Sequence, residues 1–181
     1  MKVQVADLEF ETLISHETIQ NRIAQLGQQL NSDYKDKTPI FLGVLNGSFL
    51  FIADLVKHID VPCEVTFTKL ASYYGGTSTT RNVRNDIELS IDIQGRHVII
   101  IEDIIDSGNT LSYLIERLKV FKAASLKVCS LLSKPTAIEI YIPELEYVGF
   151  EIENEFVVGY GLDYKELGRN LKDIYRLVSV H

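Results

Sequence analysis

The chain lacks the excess of positive charge that is typical of proteins that bind nucleic acids. It has 18 Lys and Arg residues against 25 Asp and Glu residues, which gives a formal net charge of −7. Because nucleic-acid phosphates are held mainly by clustered Lys and Arg, this balance disfavours a nucleic-acid partner. The sequence also lacks an apolar run of transmembrane length, and its N-terminus lacks the apolar core of a signal peptide. We therefore expect a cytoplasmic protein with no membrane partner.

Cysteine is scarce as well, since the chain has only 2 cysteines, Cys63 and Cys129. Both lie in apolar, strand-like runs without the spacing of metal ligands, so we expect buried, reduced thiols without a chemical role. Apolar residues are abundant at 46% of the 181 residues, and no repeat or linker interrupts them. One globular domain spanning residues 1–181 is the prediction.

The most informative stretch begins with the apolar run Val98 to Ile101. Its β-branched residues predict a strand buried on both faces of a parallel sheet. Glu102 and Asp103 follow directly, at the carboxyl end, where open α/β sheets bind their ligands. Residues 106–110 then turn the chain into an amphipathic helix with an apolar stripe at Leu111, Leu114, Ile115, Leu118 and Phe121.

The turn has the groups that a phosphate requires. Ser107 and Thr110 supply hydroxyls, Asn109 and its neighbours supply backbone N–H groups at a helix N-terminus, and Gly108 permits close approach. Adjacent carboxylates would repel a lone phosphate, so Glu102 and Asp103 need another purpose. Carboxylates accept hydrogen bonds from sugar hydroxyls, directly or around a magnesium ion. Acids beside a phosphate cradle therefore indicate a ribose 5-phosphate. The alternative is that they are ordinary strand-end acids and that Asp106 is a helix N-cap.

This arrangement resembles the 5-phosphoribosyl-1-pyrophosphate (PRPP) signature of the type I phosphoribosyltransferases. The resemblance implies an α/β fold, with a mostly parallel twisted sheet flanked by helices. It also implies a small hood subdomain built from the N-terminal region and residues 150–181. By the same resemblance, Glu102 and Asp103 hold the ribose hydroxyls, residues 106–110 hold the phosphate and Asp106 is the catalytic base. Mg²⁺ is the implied cofactor, with Glu102, Asp103 and Asp163 as its ligands.

A second strand-turn-helix unit precedes this stretch. Ile40 to Leu45 predicts a buried strand, and Asn46 and Gly47 turn the chain into a helix. The resemblance implies that the turn formed by Leu45, Asn46 and Gly47 binds pyrophosphate. In the purine branch of the family, this turn can contain a cis peptide before a residue that is often basic. Here that residue is the neutral Asn46, which leaves backbone donors for the pyrophosphate. An Asn-Gly pair after a strand is also a common turn, so the residues alone leave both interpretations open.

Residues 72–85 are polar and rich in glycine, a composition typical of an active-site lid. Alternation at Cys63, Val65 and Phe67 predicts a strand with one solvent-facing side before the lid, and alternation from Ile87 to Ile93 predicts a strand after it. The segment resembles the flexible catalytic loop of the 6-oxopurine branch, in which Ser72 and Tyr73 contact pyrophosphate. A surface loop without function is the alternative interpretation.

Two further segments indicate the base. Lys134 follows an apolar strand, and its ammonium has only donors, so it suits the 6-oxo group of hypoxanthine or guanine and not the amino group of adenine. A solvent-exposed loop lysine is the alternative interpretation. The stretch from Phe156 to Tyr164 resembles the purine-binding segment of the same branch. The resemblance assigns Phe156 to stacking on the base, Val157 and Asp163 to its edge, and Arg169 to pyrophosphate.

Taken together, the sequence predicts purine salvage: transfer of a phosphoribosyl group from PRPP to hypoxanthine and guanine, which gives IMP and GMP. The partners are PRPP and a 6-oxopurine, and we expect a homodimer or homotetramer. Two alternatives share the PRPP motif, namely a transferase for another base such as xanthine and a non-catalytic, PRPP-sensing regulator that binds nucleic acid. The acidic charge balance opposes the regulator.

Overall fold

The computed structural model describes residues 1–69 and 89–178. Its strands are β1 Lys2–Val5, β2 Leu8–Ile14, β3 Ile40–Leu45, β4 Glu64–Lys69, β5 His97–Ile105, β6 Ser125–Ser133, β7 Leu145–Glu151, β8 Val157–Val158 and β9 Ile174–Leu177. Its helices are α1 His16–Asp33, α2 Phe49–Leu55, a 3₁₀ turn at Val56–His58, and α3 Asn109–Lys119.

The main sheet has five parallel strands in the order β4-β3-β5-β6-β7. The chain first moves from β3 outwards to β4 and then returns to the other side of β3 with β5. The strand order therefore reverses between β3 and β5, and the carboxyl ends of these two strands form the topological switch point. Ligands of open α/β sheets bind at such a point.

Both faces of the central strands β3 and β5 are buried, as their apolar runs predict. Phe41, Ile99 and Ile101 pack with α1 and α2 in one apolar cluster, whereas Leu42 and Ile100 pack with α3 in another. Successive strand residues point to opposite faces, so each β-branched run fills two cores at once. The sheet is consequently a rigid platform for its carboxyl edge.

A second, antiparallel sheet in the order β1-β2-β9-β8 joins the N-terminal region to the C-terminal one. It has a small core of its own, made of Val5, Phe10, Val158 and Tyr175. Its presence beside the parallel sheet confirms the predicted α/β fold with a small hood.

The first helix has the predicted start and the predicted buried face. The Ser15 hydroxyl accepts a hydrogen bond from the Thr18 N–H at 3.2 Å, which caps α1. The buried stripe of α1 is Ile19, Ile23, Leu26 and Leu30, together with Gly27. In α3 the stripe is confirmed up to Leu118, whereas Phe121 lies beyond the end of the helix and is exposed.

Other elements differ from the predictions. Strand β5 runs to Ile105, so Glu102 and Asp103 lie within the strand and not after it. In β4 the solvent-facing side is the apolar one, because Val65 and Phe67 are 43% and 42% exposed while its threonines are buried. The strand predicted after the lid is wrong for the described residues 89–93, which form no strand.

Both cysteines are free thiols, as expected. Cys129 is buried in the core, and burial raises the pKa of its thiol to about 12, whereas Cys63 is only partly buried. Within residues 1–69 and 89–178, no helix is long and apolar enough to cross a membrane.

Candidate active site

The loop after β3 and the acids of β5 meet at the switch point. The peptide bond between Leu45 and Asn46 is cis, and Gly47 packs against the carboxylate of Asp103. A Cβ atom added to Gly47 would overlap the Asp103 Oδ2 atom, so only glycine fits this approach. The predicted pyrophosphate loop and the predicted ribose-binding acids therefore form one continuous surface.

Glu102 is buried and Asp103 is partly buried, in an environment that disfavours their charge. Burial, followed by the neighbouring Asp103 charge, raises the pKa of Glu102 well above its ordinary value. Burial also raises the pKa of Asp103 to about 6, although the Ile104 N–H donates to its Oδ1 atom at 2.8 Å and Arg169 opposes the shift. Two acids held in this way favour a cation or hydroxyl donors beside them.

The predicted phosphate-binding turn, residues 106–110, is called the phosphate turn below. Its shape depends on Gly108, which precedes α3 with a φ of +84°. A Cβ atom there would lie 2.9 Å from the Ile140 carbonyl oxygen, so both the backbone conformation and the space require glycine. The Ser107 carbonyl accepts hydrogen bonds from the N–H groups of Glu139 and Ile140, at 2.9 and 3.3 Å. Residues 139–140 thus stabilise the turn through two backbone hydrogen bonds.

Glu139 also contacts the side chains of the turn, which the sequence did not reveal. Its Oε2 atom accepts a hydrogen bond from the Asn109 amide at 3.1 Å, and the same amide donates to the Ser107 hydroxyl at 3.0 Å. Thr110 is exposed in the first turn of α3. No local pattern could have identified Glu139, because it is thirty residues away in the chain.

Lys134 and Asp106 form an ion pair, with the Lys134 Nζ atom 3.0 Å from the Asp106 Oδ2 atom. The lysine side chain is 7% exposed and the aspartate side chain is 59% exposed. Their proximity follows from the register of two parallel strands, since Ile105 of β5 pairs with Ser133 of β6. The predicted base-reading cation and the predicted catalytic carboxylate are therefore next to each other.

Phe156 lies on the hood and is 45% exposed, so part of its side chain is available to a ligand. Its ring contacts Phe10 and Tyr164, with centroids 6.2 and 5.8 Å away. Its carbonyl accepts a hydrogen bond from the Leu177 N–H at 2.9 Å, and buried Val157 pairs with Arg176 of β9. The hood sheet thus holds this segment in place.

Arg169 connects the predicted purine-binding segment, residues 156–164, to the acids of β5. Its guanidinium lies 2.8 Å from the Asp163 carboxylate and donates to the Gly161 carbonyl at 2.9 Å. The charges of Arg169 and Asp163 both influence the pKa of Asp103, in opposite directions. A Cβ atom on Gly161 would overlap the Gly47 carbonyl oxygen, so this segment also contacts the loop after β3.

The carboxylates suit an oxygen-binding cation such as Mg²⁺. Across residues 1–69 and 89–178, no three His, Cys, Asp or Glu side chains come together as a ready-made metal site. Asp103 and Asp163 nevertheless place hard oxygen donors near each other in a partly buried position. Mg²⁺ is usually held by one or two carboxylates, with substrate phosphates and waters as its other ligands. Ser72 and Tyr73 lie outside the described residues.

The sequence matches the family model of the phosphoribosyl transferase domain over residues 11–165. A hypoxanthine-guanine phosphoribosyltransferase of Streptococcus pneumoniae is 48% identical over 161 residues, which cover 89% of both chains. A hypoxanthine phosphoribosyltransferase of Salmonella typhimurium is 46% identical over 170 residues, 93% of this chain and 95% of that protein. A solved hypoxanthine phosphoribosyltransferase from Staphylococcus aureus superposes with a TM-score of 0.84 at 44% identity, covering 93% of this chain and 91% of that one.

Proposed function

The chain belongs to the phosphoribosyltransferase family, and from this premise we propose that it is a purine-salvage enzyme that uses PRPP and a 6-oxopurine. The reaction transfers the 5-phosphoribosyl group to N9 of hypoxanthine or guanine and releases pyrophosphate, with IMP or GMP as the product. The observation that carries the proposal is the Lys134–Asp106 pair beside the phosphate turn. It puts a donor for a 6-oxo group and a carboxylate for a ring nitrogen at the same place.

In this reaction the N9–C1′ bond forms while the bond from C1′ to the pyrophosphate oxygen breaks, and the purine loses a proton. Asp106 is accessible enough to reach the imidazole side of the purine, where its carboxylate accepts a proton near N7. The same negative charge stabilises the positive charge that develops on the sugar. Lys134 uses one N–H for Asp106 and has two others, one of which donates to the 6-oxo group.

The phosphate, ribose and pyrophosphate groups are assigned to residues around the Lys134–Asp106 pair. Residues 106–110 hold the 5-phosphate through backbone N–H groups and the hydroxyls of Ser107 and Thr110. Glu102 and Asp103 accept hydrogen bonds from the ribose hydroxyls. Leu45, Asn46 and Gly47 hold pyrophosphate through their backbone, together with Arg169, Ser72 and Tyr73.

The purine lies against Phe156, with Val157 and Asp163 at its edge. Stacking on an aromatic ring holds a flat base without restricting its hydrogen-bonding edge. Mg²⁺ would be held by carboxylates of Glu102, Asp103 and Asp163, and would neutralise charge on the departing pyrophosphate. The two relatives and the solved structure described above are all named for hypoxanthine, which gives no support to a xanthine enzyme or to a nucleic-acid-binding regulator.

An assay with PRPP, Mg²⁺ and each purine in turn tests the proposal. Nucleotide and pyrophosphate should appear in equal amounts with hypoxanthine and guanine, and adenine should give little product. Omission of Mg²⁺ should abolish the reaction. Product formation with xanthine alone, or no product with any purine, would contradict the proposal.

We also propose a cytoplasmic homodimer or homotetramer. Val65 and Phe67 expose apolar side chains on the edge strand β4, and Phe49 of α2 is exposed as well. Association would remove such surface from water, which favours an oligomer. Light scattering coupled to size exclusion should give a mass of two or four chains, and a monomer at micromolar concentration would contradict this part of the proposal.

The phosphate turn gives a direct prediction at Thr110. Thr110→Val removes the hydroxyl and keeps the shape of the side chain, so PRPP binding should weaken by about 1 to 3 kcal/mol if the hydroxyl meets a charged phosphate. The measurement is PRPP affinity by calorimetry. Thr38→Val is the control, since Thr38 is exposed before the start of β3, at the opposite edge of the sheet. Equal PRPP affinity in the wild type and Thr110→Val would reject the assignment.

Base choice is tested at Lys134. Lys134→Gln replaces the ammonium with an amide that can present either a donor or an acceptor, so the preference for hypoxanthine over adenine should narrow. Hypoxanthine should lose a charge-assisted bond worth about 1.5 to 3 kcal/mol, mainly as a higher KM for the base. The kcat/KM for adenine should rise only slightly, because the backbone near Val157 still favours a 6-oxopurine.

The measurement for Lys134→Gln is the ratio of kcat/KM for hypoxanthine and adenine. PRPP kinetics should stay close to those of the wild type. Lys127→Gln is the matched control, because Lys127 lies on the same strand and pairs with Glu146 at the surface. A ratio that does not change in Lys134→Gln would mean that this lysine does not read the base.

A further inference from the structure

A tight turn in the predicted purine-binding segment, residues 156–164, contains a tyrosine in an unusual backbone conformation. Gly159 and Leu162 exchange two backbone hydrogen bonds of 3.0 and 3.1 Å, and the two residues between them, Tyr160 and Gly161, have φ values of +48° and +100°. Such two-residue turns favour Asn or Gly at both central positions. A tyrosine there costs backbone energy, so its side chain must make compensating contacts.

The side chain of Tyr160 reaches across to the two helices below the hood. It is only 2% exposed, and its hydroxyl donates to the Asp54 Oδ2 atom of α2 at 2.5 Å. The Gln20 amide of α1 donates to the same carboxylate oxygen at 2.9 Å and lies 3.4 Å from the Tyr160 hydroxyl. One phenol therefore joins the turn to both helices.

The next residue of the turn contacts the pyrophosphate loop itself. Gly161 approaches the Gly47 carbonyl so closely that a Cβ atom would overlap it. Helix α2, which carries Asp54, begins at Phe49, directly after this loop. Gly161 of the turn therefore contacts the pyrophosphate loop, and Tyr160 of the turn contacts the helix that follows this loop. Gly47 of the loop also packs against Asp103.

We propose that Tyr160 is a positioning residue for pyrophosphate. The N–H groups of Tyr160 and Gly161 donate to the carbonyls of Leu171 and Arg169 and hold the turn itself. The hydroxyl bond to Asp54 adds the restraint that joins this turn to α2, and so helps to fix the backbone of Asn46 and Gly47 relative to Asp103. The inference rests on the proposed function, because it assigns pyrophosphate to this loop. Tyr160 is buried and is not one of the residues assigned to a substrate above, so it would act through the loop.

The test uses Tyr160→Phe, which keeps the ring and removes the hydroxyl. In the reverse reaction, from IMP and pyrophosphate, the KM for pyrophosphate should rise by about 5- to 20-fold, because a small displacement of the loop weakens its contacts. The KM and Kd for IMP should stay within about twofold, because IMP carries no pyrophosphate. Phe156 and Val157, which face the base, are held by β9 and not by this hydroxyl.

Asp54→Ala is the second variant, since it removes the acceptor and leaves Tyr160 in place. Alanine is favourable within α2, and the Asp54 side chain is 20% exposed, so the protein should fold. It should show the same selective rise in the KM for pyrophosphate. The double variant should have the same KM for pyrophosphate as Asp54→Ala alone, because Asp54→Ala already removes the bond that Tyr160→Phe removes.

Tyr147→Phe is the matched control. Tyr147 is 3% exposed and donates to the Asp33 carboxylate of α1 at 2.8 Å, but it belongs to β7 and not to the turn. It should lose stability without any change in the KM for pyrophosphate.

Three outcomes would overturn the inference. The KM for pyrophosphate could stay unchanged in Tyr160→Phe, it could rise together with the KM for IMP, or Asp54→Ala could leave it unaltered. An active wild type with one of these outcomes would reject only the role of Tyr160. A wild type that forms no nucleotide from any purine would reject the proposed function and this inference together.

Discussion

Replacing Asp106 with Asn is expected to lower turnover by about 10²- to 10⁴-fold while PRPP binding is largely retained. Asparagine keeps the size of the side chain and loses its basicity and charge. The phosphate turn should keep its shape, because that shape depends on Gly108 and on the support from residues 139–140. The loss should therefore appear in kcat and not in the PRPP affinity.

The ion pair adds a second consequence to this substitution. Lys134 is buried, and without the Asp106 charge its ammonium keeps only an amide partner. An unpaired buried charge is costly, so the free energy of unfolding should fall as well. Single-turnover kinetics and calorimetric PRPP binding measure the first effect, and chemical denaturation measures the second. Asp36→Asn, at an exposed position with a φ of +61° that Asn tolerates, serves as the control. Near-normal turnover in Asp106→Asn would leave Asp106 as a structural residue only.

A comparably large effect is expected from Gly47→Ala. The added methyl group would overlap the Asp103 carboxylate, which is partly buried and held by the Ile104 N–H. Either the loop or the acid must move, and a displacement near 1 Å at a reacting centre costs about 10²-fold in rate. We expect kcat/KM for PRPP to fall by about that factor. The free energy of unfolding should fall by about 1 to 3 kcal/mol, as for other overpacked sites.

The measurement for Gly47→Ala is the forward rate over a range of PRPP concentrations. Gly95→Ala is the control, since Gly95 has a φ of +69° but nothing within 4 Å of an added Cβ atom. That variant should lose some stability and retain activity. If kcat/KM for PRPP were equal in Gly47→Ala and the wild type, the contact between this loop and Asp103 would have no role in the reaction.

The sequence by itself determined the elements whose signals are local. The 3.6-residue period from Ile19 to Leu30 and the Ser15 cap determine α1, because a helix face and its N-terminus are set by neighbours in the chain. The apolar runs at Ile40–Leu45 and from Val98 to Ile101 determine strands that are buried on both faces, and hence a parallel sheet, although the second strand extends to Ile105. Since ligands bind at the carboxyl edge of such a sheet, the position of the candidate site followed as well.

Only the tertiary structure decided which side chains meet. The Lys134–Asp106 pair depends on the register of β6 beside β5, and the contact between Gly47 and Asp103 depends on the strand order at the switch point. The alternation in β4 predicts a strand but not which side faces solvent, and there the apolar side is exposed. Tyr160 lies within the stretch that resembles a purine-binding segment, but the bond from its hydroxyl to Asp54 depends on how that stretch packs on α2. Periodicity and turn chemistry report on a few neighbouring residues, whereas these contacts join residues that are distant in the chain and are made only when the two sheets and their helices pack together.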